Sequence, residues 1–429
     1  MTSSRLTRTA WLVVALLWPV ALLNYLDRQM LAAMKQSVMA AIPTIEGDSQ
    51  WGLLLGSFKW IYALLSPLGG YVADRFSKRL TIISSLFIWS VVTWLTGHCE
   101  TYGQMLLTRA VMGVSEAFYI PAALALIADF HTGNTRSRAI GFHQMAIYVG
   151  IIIGGYSGHI ADAPDYGWRW AFSAAGIAGI IYTVPMLLFL PNRHNSASVS
   201  QVEDQSAPLS ERLYQLVTNR DFVFLAICFT LPAIAGWIVK DWMPAILMEQ
   251  LVHQDGTPIT QGEAGVTATL WTQIASILGA LGGGWLADRW MRNQIRGRTF
   301  VSAMGLSLLI PALFGVSLVN SIPSAAAILI VFGIGWGFFD CNNMPILSQV
   351  VRPELRATGY GLMNFISIST GGFADYAFGY FKQQQVPLPM IFGPCALAAL
   401  ASIYFMLKIR PHADLAVVES AEDQEGAPA

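Results

Sequence analysis

The sequence predicts an all-α membrane protein, with twelve transmembrane helices in two six-helix, pseudo-symmetric bundles. Three observations predict it. The chain of 429 residues is 54% hydrophobic and only 12% charged, about half the charged share of a soluble globular protein. Its apolar residues gather into runs of about 20, the length an α-helix needs to cross the hydrocarbon of a bilayer. Short motifs in the first half return in the second, in the same order and at nearly the same separation.

With a bilayer-length window the first six spans fall near 11–33, 51–72, 81–98, 103–128, 137–160 and 168–190. The second six fall near 221–247, 264–287, 297–318, 322–348, 357–381 and 387–408. The expected domains are an N-terminal bundle over 1–190, a cytoplasmic linker over 191–220, a C-terminal bundle over 221–408 and a disordered cytoplasmic tail over 409–429. The linker opens polar and Ser-rich ("PNRHNSASVSQVEDQ") and reads as flexible. The tail ("PHADLAVVESAEDQEGAPA") is acidic and rich in small residues. The first apolar run is long, begins near Ala10 and lacks a small-residue cleavage site, so it is expected to stay as a span.

Orientation follows from Lys and Arg, which crowd cytoplasmic loops. The N-terminus, the even-numbered loops and the C-terminus hold clusters such as Arg75, Lys78 and Arg79, or Arg289, Arg292, Arg296 and Arg298. The opposite loops hold Lys35, Arg169 and Lys382. Both termini are therefore expected in the cytoplasm, which an even number of spans requires, and the protein in the inner (plasma) membrane. Four scattered cysteines with no CxxC pair suggest neither a metal site nor a disulfide framework. A net charge of -1 offers nothing to nucleic acid. No HExxH, GxSxG or Cys–His nucleophile arrangement is present, so neither an enzyme nor a cofactor is expected.

"GGYVADRFSKR" (69–79) is echoed by "GGWLADRWMRN" (283–293), and "RAIGF" (138–142) by "RATGY" (356–360). Such parallel half-repeats are one plan of secondary transporters, with the substrate site at mid-membrane. Gly70 and Gly284 allow close helix approach. Asp74 and Asp288, at cytoplasmic helix ends, can accept from the N-terminal amides of a neighbouring helix or pair with arginine. The gating set is accordingly Asp74, Arg75, Arg79, Arg138, Asp288, Arg289 and Arg356. The alternative reading is ordinary loop charge pairs.

Four cations fall inside spans, Arg28, Lys59, Arg109 and Lys240, each costing about 2.5–3.5 kcal/mol to insert. The acids there are Asp27, Glu116, Asp340 and Asp375, with Asp241 beside Lys240. Asn24, Asp27 and Arg28 share one helix face, as do Arg109 with Glu116 and Lys59 with Tyr62. Burial favours a neutral carboxyl and a nearby cation an ionised one, so Asp27 and Glu116 are the proton-coupling candidates. Arg28, Arg109 and Lys59 are candidates for an anionic substrate, with Tyr62 and Tyr25 beside them and His143, Gln144 and Tyr148 on the cavity wall. In the second half Asn342, Asn343 and Asn364 suit a polyhydroxylated ligand. The competing reading makes Asp27–Arg28 and Arg109–Glu116 neutralising pairs that lock helices, and the amides helix–helix contacts. Lys240 with Trp237 reads as an anchor at the membrane interface.

At these residues the chain resembles the major facilitator superfamily over all twelve spans, in both GxxxADR copies, the six-plus-six layout and "RSRAIGF". Ser77 stands where that family often has Gly. "NYLDRQ" and "TRAVMGVSEAFYIPAA" are similar to its anion:cation symporter branch, which carries hexuronates and galactonate with protons. That resemblance implies coupling and substrate roles for Asp27, Arg28, Arg109 and Glu116, and matches Tyr62 to an aromatic of the branch; Lys59 is not part of its pattern. "LLTRAVMGVSEAFY" and "IADFHTGNTRSR" are also similar to spinster-type lysolipid transporters. The expectation is a proton-coupled symporter for a small organic anion such as a sugar acid, working by alternating access. The alternative is a spinster-like lysolipid or drug exporter. The expected partners are the substrate anion, protons and the lipid bilayer, with no nucleic acid, and the expected state is a monomer. A transporter-like sensor would need the tail as a partner-binding element. Deleting 412–429 is therefore expected to leave uptake into proteoliposomes unchanged; lost uptake would revive the sensor reading.

Overall fold

The computed structural model describes residues 3–131, 134–191, 208–253 and 255–412, with side chains at these positions except 3–7, 70–75, 134 and 137. The side chains of Asp74 and Arg75, most of the linker and the tail beyond 412 lie outside the described residues. The helices run in chain order. The first eight are α1 (Ser3–Ala33), α2 (Lys35–Ala41), α3 (Asp48–Arg75), α4 (Lys78–Thr96), α5 (Tyr102–Glu116), α6 (Tyr119–Phe130), α7 (Asn134–Asp162) and α8 (Gly167–Phe189). They are followed by α9 (Leu209–Thr218), α10 (Arg220–Gln250), α11 (Gln261–Met291), α12 (Gly297–Val316), α13 (Ile322–Asp340), α14 (Asn343–Val350), α15 (Pro353–Gln383) and α16 (Leu388–Lys408).

Among the described residues, ten helical stretches are long and apolar enough to cross a membrane, counting α5 with α6 and α13 with α14 as one stretch each. The twelve expected spans thus exceed this count by α3 and α15. Both are long enough, at 28 and 31 residues. Lys59 in the one, Asp375 in the other, and their small and polar residues lower the apolar character of each.

The fourth and tenth expected spans are not continuous. α5 stops at Glu116, and Ala117 and Phe118 form a turn before α6; α13 stops at Asp340, and Cys341 and Asn342 form a turn before α14. The physical reason is readable in "YIPAA" and "NMPIL". Pro121 has no N–H to give the Ala117 carbonyl, and Pro345 has none to give Cys341, so each helix opens four residues before its proline. The entry of each broken helix is fixed by a capping box, Thr101 with Gln104 in α5 and Ser321 with Ser324 in α13. The departure at Ser77 also has a local cause: its hydroxyl accepts from Leu80 N at 3.3 Å and caps α4.

Contacts divide the chain into two compact units. The first comprises Met1–Asn195, Lys240–Thr269 and Asp375–Tyr380. Here α1 packs along α7, α4 against α8 and α3 against α5. Its core interleaves Val13, Leu17, Val20, Leu86, Trp89 and Leu126, all buried. The second comprises Ser196–Val239, Leu270–Ala374 and Phe381–Ala429, with α12 packed between α13 and α16.

The opened turn after α5 is held by α3. A Cβ added at Gly69 would stand 2.5 Å from the Ala117 carbonyl oxygen that Pro121 leaves without a helical donor. Gly69→Ala is therefore expected to destabilise the protein by about 1–3 kcal/mol, read as a lower unfolding midpoint in detergent; an unchanged midpoint would mean that α3 does not brace the turn.

Candidate functional site

α1 presents Asp27 and Arg28, and α5 presents Arg109 and Glu116, two helical turns apart on one face. The four meet, but not as neighbours in sequence. Arg28 donates from Nε to Glu116 Oε2 at 2.8 Å, with Nη2 2.6 Å from the same oxygen. Arg109 Nη2 lies 3.7 Å from Asp27 Oδ2. The neutralising pairs within each helix that the competing reading named are thus replaced by crossed pairs between helices. Adjacent residues on a helix point about a quarter-turn apart and do not face each other, which is why Asp27 does not take Arg28.

Glu116 is fully buried, and Asp27 and Arg109 are each 2% exposed. The Arg28 guanidinium sits among three rings, 4.6 Å from Phe58, 4.7 Å from Tyr25 and 5.0 Å from Tyr62. Each ring face attracts a desolvated cation, so the head group is held by more than Glu116. Beside it Asn24 is fully buried, and neither atom of its amide finds a hydrogen-bond partner. A polar group in that condition costs about 1–3 kcal/mol and is a natural contact for a bound molecule or water. Behind the turn, Tyr119 Oη lies 3.0 Å from His143 Nε2 and donates to Leu17 O at 3.3 Å, fixing the start of α6.

Lys59 does not join this quartet. Its ammonium binds the carboxylates of Asp241 and Asp375, all three residues being buried. Lys240, expected as an interface anchor, is half-buried and faces α1. Its ammonium stands 4.9 Å from the Tyr25 ring centre, and its carbonyl accepts from Gln29 Nε2 at 3.2 Å, so α1 holds this part of α10. Lys35, expected in a loop opposite the cytoplasmic side, is buried in α2, pairs with Asp48 and stands 5.0 Å from the Trp242 ring.

The remaining expected site residues are placed otherwise. Gln144 is exposed and Tyr148 half-buried on α7; Arg138 is exposed. Arg79 donates to Leu187 O. In the second unit, Asn342 donates to Phe338 O at 2.9 Å and Asn343 to Asp340 Oδ1 at 3.3 Å, so both amide N–H groups serve the end of α13. Asn364 is half-buried on α15. Asp288 is mostly exposed and lies 3.7 Å from Arg298, Arg289 stands 5.8 Å from the Trp285 ring, and Arg356 binds the carbonyls of Ser348 and Val351 at the end of α14. Among the described residues, no group of three or more His, Cys, Asp or Glu is placed to hold a metal ion. Sequence reasoning missed Phe58, and it left Asp241 and Asp375 without a role. Phe58 follows no polar spacing, and Lys59 meets its partners through contacts more than 180 residues apart in the chain.

Comparison with known proteins adds identity to this geometry. The family model described as Major Facilitator Superfamily matches residues 17–374. The chain is 28% identical over 380 residues to protein spinster of Drosophila melanogaster, an alignment covering 86% of this chain and 61% of that protein's length. It is 28% identical over 371 residues to the sphingosine-1-phosphate transporter SPNS2 of Xenopus tropicalis, covering 84% and 71%. A crystal structure of a bacterial homolog of the human lysosomal transporter spinster, inward-facing and unoccupied, superposes with a TM-score of 0.72 at 19% identity, over 98% of this chain and 99% of that one. These relatives favour the spinster resemblance; the expected kinship with hexuronate and galactonate symporters finds no support among them.

The crossed pairing has a thermodynamic signature. Double-mutant cycles on thermal stability are expected to give a coupling energy larger by about 1 kcal/mol for Arg28 with Glu116 than for Arg28 with Asp27. Equal coupling in both cycles would refute the cross.

Proposed function

The chain belongs to the major facilitator superfamily, and from that premise we propose that it is a proton-linked secondary carrier of a lysolipid-like amphiphile. In this reading α3 and α15 also cross the bilayer, giving twelve spans with both termini in the cytoplasm, and transport proceeds by alternating access. The observation that carries the proposal is the likeness, over 84% of the chain, to a protein named for transport of sphingosine 1-phosphate, a single-chain phosphate lipid.

The quartet supplies chemistry suited to such a head group. A guanidinium fork matches phosphate oxygens, and in this structure Arg28 gives its fork to Glu116. A phosphate and an ionised Glu116 therefore compete for the same donors. Protonating Glu116 removes its claim on Arg28 and frees the fork for the anionic head; losing the proton restores the pair and expels the head. Binding of substrate and binding of the proton thus favour each other. Arg109, held more loosely by Asp27 at 3.7 Å, is the second cation for the head group. The rings of Tyr25, Phe58 and Tyr62 tolerate both the bare guanidinium and the first carbons of an acyl chain.

Purified protein in proteoliposomes with an inward proton gradient is expected to move a lysophospholipid or sphingosine 1-phosphate, and not glucuronate or galactonate. Movement of the sugar acids alone would overturn the substrate class. In the same assay Glu116→Gln is expected to lose proton-driven accumulation while retaining exchange of substrate down its gradient. Gradient-driven accumulation by that variant would remove Glu116 from the coupling role.

A further inference from the structure

The proton-linked cycle above uses Asp27 and Glu116 and leaves a second buried charge cluster without a task. Lys59 on α3 binds one carboxylate of α10, Asp241, and one of α15, Asp375. Asp375 is fully buried, Lys59 is 4% exposed and Asp241 8%. The backbones are equally close. A Cβ at Gly52 of α3 would meet the Asp375 carbonyl at 2.5 Å. Trp242, next to Asp241, packs on Phe378 of α15 with ring centres 4.9 Å apart. The tie between these helices therefore runs through one ammonium shared by two acids, backed by tight backbone contact.

The surrounding charges are few. From α10 comes Lys240, over the Tyr25 ring whose other neighbour is Arg28 at 4.7 Å. From α2 and the start of α3 comes the Lys35–Asp48 pair, reached through Trp242. Two carboxylates facing one ammonium repel each other. A proton added to an oxygen of either acid relieves that repulsion and removes about half of the attraction that holds Lys59. Lys59 stays an ammonium throughout, and the only bond formed is the new O–H. Both changes act on the same contact, so proton binding and loosening of α3 from α10 and α15 are thermodynamically linked.

We propose that Lys59, Asp241 and Asp375 form a second proton-binding site, separate from the Arg28–Glu116 and Asp27–Arg109 pairs, whose occupation releases α3 from α10 and α15. The site does not depend on the substrate class argued above, only on these helices separating during the transport cycle.

Spin labels at Glu46→Cys and Val252→Cys, both exposed positions, in a chain with its native cysteines replaced and set in lipid nanodiscs, report that separation by pulsed electron resonance. The wild-type background is expected to gain a longer-distance population as pH falls from mildly alkaline to mildly acidic. Asp375→Asn and Asp241→Asn, which imitate the protonated acid, are each expected to hold that population about fivefold or more above wild type at alkaline pH and to flatten its pH response. Glu116→Gln is expected to keep the response. In infrared difference spectra of the unlabelled protein, the band of protonated carboxyl that grows on acidification is expected to lose a component in each Asn variant. If one variant fails to fold, the other decides. Wild-type distances, pH response and carboxyl band in a folded Asn variant would overturn the proposal.

Discussion

Every feature of the first unit's centre depends on one constraint: charge inside an apolar layer must be matched by opposite charge at contact distance. The chain meets it between helices. Arg28 of α1 is matched by Glu116 of α5, and Arg109 of α5 by Asp27 of α1. Crossing the pairs has a consequence that pairing within each helix would lack. Each helix carries one acid and one cation, but the contact partner of each lies on the other helix, so any change of protonation on one is felt as a change in attraction to its neighbour. Removing one member of such a buried pair is costly because it strands the other, even where the pair itself adds little net stability.

Precise placement of Glu116 comes from a defect in the helix that carries it. Pro121 opens the ladder at Ala117, so the carboxylate stands on the last turn of α5 rather than within a continuous span. The arrangement recurs where Pro345 opens α13 after Asp340. Broken helices at membrane depth are tolerated when the freed backbone groups are buried in protein, and Gly69 provides that cover for the Ala117 carbonyl. The second acid is handled differently. Asp340 receives a bond from Asn343, while Glu116 receives a guanidinium. The two halves share a fold device and differ in chemistry.

The substrate class shows where motif reading reaches its end. "NYLDRQ" and "TRAVMGVSEAFYIPAA" place paired acids and arginines inside the spans, and a guanidinium suits the carboxylate of a sugar acid and a phosphate head equally well. What distinguishes the two ligands is the part that carries no charge. Local polar spacing says nothing about an acyl chain, and the amides that suggested hydroxyl recognition, Asn342 and Asn343, bond their own helix end instead.

The sequence by itself determined the helical class, the approximate extent of the long helices and the identity of the intramembrane charges. Those depend on local quantities: apolar run length and the cost of a lone charge in lipid. The count of spans was less secure, because Lys59 and Asp375 dilute α3 and α15 below the apolar average that marks the other ten. Only the tertiary structure decided the partners. Spacing along a helix says which residues share a face, but Arg28 finds Glu116 rather than Asp27, and Lys59 finds Asp241 and Asp375, because separate helices bring them within reach. Pairing is a property of distances across the fold, and one-dimensional periodicity does not contain them.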